Sequence, residues 1–280
     1  MQNRITAVIV TFNNIAMLKD LLGDLAGQLR PPEQVIVVDN ASRDLTASCL
    51  GAEFAHVRCI RLEENTGSAG GYRAGLQAAL AESDLIFTLD DDLRLEKNTL
   101  KELEAGFEEY RNTGKVGAVR AVSRGGTVHN GKVWAVTWSG SLFNACAVKE
   151  LGLPESDFFI YGEDLEYSFR FTKAGYSFYW VPLSRYSNPR LGDKQKHSFF
   201  GRTLIYYSQP PRLYYAFRNE LVVYFKYGCF LRVFRTLVYA AVVVFWMACF
   251  DRKLFFPRVK AILLGLCHGM RGVRGKTMEI

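Results

Sequence analysis

The chain lacks paired cysteines. Its six (Cys49, Cys59, Cys146, Cys229, Cys249, Cys267) are scattered, with no Cys-x-x-Cys and no histidine at metal spacing. That argues against a disulfide framework or a zinc site and fits a reducing compartment. There is no internal repeat and no low-complexity linker. Neither a Walker A loop nor a Gly-x-Gly-x-x-Gly turn is present. No Ser/His/Asp or Cys/His grouping stands out as a nucleophile. No leader pattern opens the chain, since Met1–Arg4 runs straight into apolar sequence, and a cytoplasmic location is expected. A spanning helix needs about 20 apolar residues. The charge-free run Thr236–Phe250 has only 15.

What is present describes a globular protein. Of 280 residues 49% are hydrophobic and 22% charged, enough for one large domain or a domain with an appendage. The net charge of +7 is uneven. Residues 1–211 carry 23 Lys and Arg against 25 Asp and Glu, whereas residues 212–280 carry 12 against 3. The division expected is therefore 1–211 as the main domain and 212–280 as a basic, aromatic-rich helical region. Such a segment favours an anionic surface, and membrane is the better partner than nucleic acid.

The first half alternates short apolar strands with amphipathic helices. Strands are expected at Ile5–Thr11, Gln34–Val38, Val57–Leu62 and Leu85–Leu89, with helices over Asn14–Leu29, Leu45–Leu50 and Ser68–Ala81. This implies βαβ units and a mainly parallel sheet covered on both faces. Ligands of such sheets bind beyond the carboxyl ends of the strands, where Thr11, Asp39, Asn65 and Asp90 fall. The second half predicts a helix over Leu100–Tyr110, strands at Val116–Val122 and Trp134–Trp138, a helix over Asp164–Ala174 and a strand at Tyr176–Val181. Ser187–Gln209 reads as a mobile loop, and Leu213–Tyr227 as an amphipathic aromatic helix. Thr236–Phe250 reads as a helix lying in a membrane interface, with a spanning or hairpin insertion as second choice and packing on the main domain as the plain alternative.

Four polar features follow in order. Thr11-Phe12-Asn13 closes the first strand. Asp39-Asn40-Ala41-Ser42 closes the second, where Asp39 can accept hydrogen bonds from a base or ribose. Asn65-Thr66-Gly67-Ser68-Ala69-Gly70-Gly71 opens a helix, and its glycines allow close backbone approach to a ligand at the positive helix end. Asp90-Asp91-Asp92 ends the fourth strand. Three adjacent carboxylates repel unless something positive sits among them, and a divalent cation with a pyrophosphate is the usual answer. An acidic surface turn is the plain reading of the triplet alone.

The order VTFNN, VVDNAS, NTGSAGG, LDDD, then Trp138-Ser139-Gly140 and Tyr161-Gly162-Glu163-Asp164, resembles the GT-A glycosyltransferases of family 2 over roughly residues 5–185. NTGSAGGY with LDDD is similar to bacterial galactofuranosyltransferases, and Tyr214-Tyr215-Ala216-Phe217-Arg218-Asn219 resembles an element those enzymes share with rhamnosyltransferases. The resemblance implies a Rossmann-like α/β fold and inverting transfer from a nucleotide-sugar. The donor implied is UDP-galactofuranose, or dTDP-rhamnose as runner-up. The acceptor implied is a lipid-linked glycan of a bacterial surface polysaccharide. The enzyme would lie peripherally on the cytoplasmic face of the inner membrane.

By the same resemblance Thr11, Asp39, Asn65, Gly67 and Gly70 border the nucleotide. Asp90 and Asp92 hold Mn²⁺ or Mg²⁺, Asp91 lies near the ribose or donor sugar, and Asp164 is the base. Trp134 and Trp138 stack on acceptor sugars or belong to the core. Glu163 borders the substrate or simply complements the start of a helix. One departure stands out. Related enzymes often place a metal-binding histidine after the strand ending Val-Pro, where this chain has Asn188, so that either Asn188 or His197 would complete the site. A nucleotidyltransferase would show a basic, Gly-rich loop near the N-terminus, and Thr11–Leu18 has neither Arg nor Gly. A non-catalytic binding module with a degenerate site stays open.

Overall fold

The computed structural model describes residues 3–126, 131–189, 194–199 and 202–279, with the backbone alone at 194–199 and 202. The chain forms two compact units, residues 1–156 with 164–190, and residues 157–163 with 191–280.

The first unit runs β1 (Ile5–Thr11), α1 (Ile15–Ala26), β2 (Gln34–Asp39), α2 (Thr46–Glu53), β3 (Arg58–Arg61), α3 (Gly67–Ala79), β4 (Leu85–Asp90), β5 (Arg94–Leu95), α4 (Thr99–Arg111), β6 (Val116–Ser123), β7 (Gly131–Val133), β8 (Ser141–Asn144), α5 (Ala145–Leu151), α6 (Glu163–Lys173) and β9 (Ser177–Ser187). The strands make one sheet in the order β3-β2-β1-β4-β8-β6-β9-β5, with β7 on β9. β3, β2, β1 and β4 are parallel, and β8 is antiparallel to both of its neighbours. Alternation along β1 sorts its side chains. Ile5, Ala7 and Ile9 join Leu18, Leu21, Leu22 and Leu25 of α1 on one face, while Val8 joins Tyr72 and Leu76 of α3 on the other. Each buried Leu, Ile or Val among them contributes about 1.5–3 kcal/mol. α3 lies unusually close to β1, because a Cβ on Gly71 or Gly75 would come within 2.5 and 2.4 Å of Val10 and Val8.

Two sequence expectations change here. Trp134–Trp138 is not a strand: the Val136 N–H is taken by Ser168 Oγ of α6 at 3.1 Å rather than by a ladder. The strand is β8 instead, leading into a seven-residue helix capped by Asn144 Oδ1, which accepts from Cys146 N. β9 does not stop before Pro182. Its pairing with β6 slips between Ala121/Val181 and Val122/Arg185, and the extra residues pass through the bulge.

The second unit holds β10 (Lys194–Phe199), β11 (Arg202–Tyr207), α7 (Pro210–Lys226), α8 (Phe230–Phe250) and α9 (Phe255–Met270). The expected mobile loop over Ser187–Gln209 is replaced in part by the antiparallel β10–β11 hairpin. α9 meets α7 at two glycines four residues apart, where a Cβ on Gly265 or Gly269 would lie 2.7 Å from the Tyr214 or Arg218 carbonyl oxygen. α8 buries a single stripe, Val233, Thr236, Ala240, Val243 and Met247. The charge-free run seemed too short to span, but the helix that contains it starts at Phe230. At 21 residues it is long and apolar enough to cross a membrane.

Candidate active site

The carboxyl ends of the parallel strands bring the polar features of the first unit to one edge. Thr11 pairs with Asp39 and Val10 with Asp90, so these residues stand side by side. Asp39 is fully buried, accepts from Ser42 N at 2.9 Å and lies 3.2 Å from Arg61 Nη1. Asn40 ties two loops: its amide donates to Gly67 O, and its oxygen accepts from Thr66 N, each at 2.9 Å. Asn65 Oδ1 accepts from Gly67 N, and Gly67 opens α3 at φ +71°. Gly70 faces Thr66 closely, since a Cβ there would come within 2.2 Å of Thr66 Oγ1.

The three aspartates divide in their surroundings. Asp90 accepts from Tyr72 OH at 2.8 Å and from Ser139 Oγ. Asp91 turns to the β1–α1 loop, accepting from Thr11 Oγ1 at 2.6 Å and Asn14 Nδ2 at 2.9 Å. Burial pushes its carboxyl up to about 6, against those hydrogen bonds and with the repulsion of Asp92 and Asp90. Asp92 is half-buried and follows directly.

Asp164 joins them. Burial pushes its carboxyl up to about 6, the Leu165 N–H bond at 2.7 Å opposes, the charge of Asp90 raises it further and that of Arg120 lowers it. Asp164 and Asp90 therefore sense each other although 74 residues separate them in sequence. Arg120 lies over the Trp180 ring at 4.3 Å and donates to Thr137 Oγ1 at 3.0 Å. Sequence reasoning missed it, and gave no role to Asn14, Tyr72 and Ser139 although each stands in a quoted motif. The one signal for Arg120 is a charge inside the apolar strand β6.

The structure separates the two tryptophans. Trp138, with 4% of its surface exposed, is stacked on Tyr72 and packed against Phe143 and Tyr167, so it belongs to the core and offers no face to a sugar. Trp134 is 54% exposed and meets Phe169 edge-on. Glu163 is buried as the first residue of α6, the one residue of that helix that belongs to the second unit, and so stands at a helix start as one of its two expected readings had it.

Among the described residues no three His, Cys, Asp or Glu gather as a metal site. A hard cation held by two carboxylates takes its remaining ligands from amide or carbonyl oxygens, water and substrate phosphates. Asn188 fits that need. Its Oδ1 is buried without a hydrogen-bond partner. Arg94 pairs with Ser187 across β5 and β9, and continuing that register puts Asn188 opposite Leu93, next to Asp92. The side chain of His197 lies outside the described residues.

The family model of glycosyl transferase family 2 matches residues 6–152. The galactofuranosyltransferase GlfT1 of Mycobacterium tuberculosis is 27% identical over 253 residues, 79% of this chain and 82% of that protein. A mannosyltransferase from Pyrobaculum calidifontis, in complex with GDP-Man and Mn²⁺, matches with a TM-score of 0.60 at 17% identity over 96% of this chain and 86% of that one. Staphylococcus aureus TarS 1–349 in complex with UDP matches with a TM-score of 0.55 at 16% identity, over 79% of this chain and 65% of that one. The mixed, mainly parallel sheet flanked by helices is the GT-A architecture.

Proposed function

This chain belongs to glycosyl transferase family 2, and from that premise we propose that it transfers a hexose, galactofuranose from UDP-galactofuranose, with inversion to a lipid-linked glycan. The observation that carries the chemistry is the buried Asp164 beside Asp90, with its carboxyl pushed up to about 6. A base of that strength is ionised at neutral pH and still takes a proton readily. The sugar rests on the likeness to GlfT1 over most of both chains.

Asp164 takes the proton of the acceptor hydroxyl as its oxygen bonds to the anomeric carbon. The bond to the diphosphate breaks on the opposite face, and UDP leaves with the electron pair. Asp90, Asp92 and Asn188 would hold Mn²⁺ or Mg²⁺. When bound, the cation supplies positive charge to the departing diphosphate. Thr11 and Asn14 keep Asp91 turned to the β1–α1 loop, which shapes the nucleotide cleft together with Asp39, Asn65 and the start of α3. Trp134 offers an exposed face to acceptor sugars.

The reading places the enzyme peripherally on the cytoplasmic face of the membrane, and α8 supports the membrane-surface part of it. Its buried stripe is used by its own unit, and Thr236 Oγ1 donates to Glu220 Oε2 at 3.1 Å. The rest of the helix exposes Phe234, Val238, Val242 and Phe245, with Arg232, Arg235, Arg252 and Lys253 at its ends. An interfacial helix combines these features.

Calorimetry with UDP, dTDP, GDP and CDP, each with Mn²⁺ and with EDTA, tests the reading. UDP is expected to bind only with the cation, and Asp92→Ala should abolish that binding. Preference for dTDP would move the reading to rhamnose. No binding of any of the four by folded protein would overturn it.

A further inference from the structure

The segment Tyr214–Asn219 has no part in the chemistry above, yet it contains the most thoroughly buried polar groups of the second unit. Arg218 and Asn219 are 0% and 1% exposed. Asn219 Nδ2 lies 2.9, 2.9 and 2.7 Å from the carbonyl oxygens of Phe158, Ile160 and Tyr161. Arg218 Nη2 adds a bond to Phe158 O at 3.1 Å. Its Nε donates to Asn219 Oδ1 at 2.7 Å and so fixes the amide's orientation. Its Nη1 donates to Gly275 O at 2.7 Å and to Thr277 Oγ1 at 3.2 Å, and the guanidinium lies over the Tyr215 ring at 4.7 Å. One arginine and one amide thus bind two distant stretches of backbone.

The loop they grip does not hold its own shape. Phe159, Tyr161 and Gly162 have φ of +67°, +64° and +84°. The two non-glycine residues pay a steric cost in that conformation, so surrounding contacts must maintain it. Three carbonyls converging on one amide do so. Gly162 fits tightly as well, since a Cβ there would come within 2.8 Å of Asn219 Cβ. The loop leads without a break into Glu163 and Asp164.

We propose that Arg218 and Asn219 are positioning residues: they lock residues 158–162 in this strained turn, fix where α6 starts and so place Asp164, and they make the C-terminal stretch 275–278 part of the same lock. Tyr215 completes the tie, because its hydroxyl accepts from Thr277 N and Met278 N at 2.9 and 2.8 Å. The inference rests on Asp164 being the base.

The test joins amide hydrogen exchange of the full chain with steady-state kinetics, for Asn219→Ala and for the milder Arg218→Lys and Thr277→Val. The rate read is release of UDP from UDP-galactofuranose to water. Exchange should rise at residues 158–163 and 275–279, and kcat should fall roughly 100-fold in Asn219→Ala, the scale of a misplacement of about 1 Å. UDP affinity should stay within about twofold, as expected of groups that act only on the chemical step. Unchanged exchange in these segments would overturn the lock. Raised exchange with unchanged kcat would overturn the positioning role. If Asn219→Ala does not fold, the same criteria apply to the other two variants. Should Asp164→Asn keep full turnover, the base assignment fails separately, and the exchange pattern still decides the lock.

Discussion

The first unit exposes large apolar side chains at scattered places, Phe12, Leu29, Leu45, Trp134 and Leu183, whereas among the described residues the second exposes fifteen, eight of them on α8 between Phe230 and Phe245. The charge differs in the same way, with acids and bases nearly balanced up to residue 211 and bases four to one beyond it. The first unit spends its polar groups on tying loops at the sheet edge: Thr11 and Asn14 to Asp91, Asn40 to Gly67, Tyr72 and Ser139 to Asp90. The second gathers Arg218 and Asn219 against the carbonyls of Phe158, Ile160, Tyr161 and Gly275 and pairs Arg258 with Asp251, and it leaves an apolar, base-flanked face of α8 exposed. The two units thus differ in what they bury and in what they expose.

The sharpest way to break this contrast is to charge the outer face of α8. Each phenylalanine withdrawn from lipid forfeits about 2 kcal/mol, so Phe234→Asp with Phe245→Asp should weaken binding to anionic vesicles about 1000-fold or more. UDP affinity should not change. Sedimentation with vesicles measures the first and calorimetry the second; retention on vesicles would place the anchor elsewhere.

The two tryptophans sharpen the picture within the first unit. Trp138→Ala should cost about 3–5 kcal/mol of stability, as a buried aromatic deleted from a core does. Trp134→Ala should change stability by less than about 0.5 kcal/mol and raise the acceptor KM instead. Chemical denaturation and initial rates separate the two.

The smallest effect is that of pH. On the proposed reading Asp164 must be ionised to act as the base, and burial pushes its carboxyl up to about 6. kcat/KM should therefore be flat above that value and fall about tenfold per pH unit below it. Because the folded carboxyl binds its proton more tightly than the unfolded one, its ionisation opposes folding above pH 6 and ceases to matter below about 4. Asp164→Asn should accordingly be more stable than the parent at pH 8 by up to about 3 kcal/mol, with the gap closing as pH falls from 6 to 4.

Much of the fold was legible because β1, β2 and β4 are mostly apolar runs that each end in a polar residue. That pattern also exposed Thr11, Asp39 and Asp90 as neighbours. What escaped depends on partners far away in sequence. The stretch from Trp134 to Trp138 alternates like a strand, but its backbone bonds go to Ser168. Which way Trp138 turns depends on Tyr72 and Tyr167. The resemblance set Asp91 apart from Asp90 and Asp92, but its turn toward the β1–α1 loop depends on Thr11 and Asn14, some 80 positions earlier. The grip of Asn219 on residues some 60 positions earlier leaves no local trace beyond an amide in an aromatic helix.

The most direct test of the central claim is Asp164→Asn, measured for UDP affinity in the presence of Mn²⁺ and for release of UDP from UDP-galactofuranose. UDP affinity within about twofold of the parent, with turnover lowered about 1000-fold, is the expected result, since loss of a positioned base costs about 10²–10⁴ in rate. Turnover equal to that of the parent would contradict the account, because the buried carboxyl beside Asp90 would then have no part in the reaction.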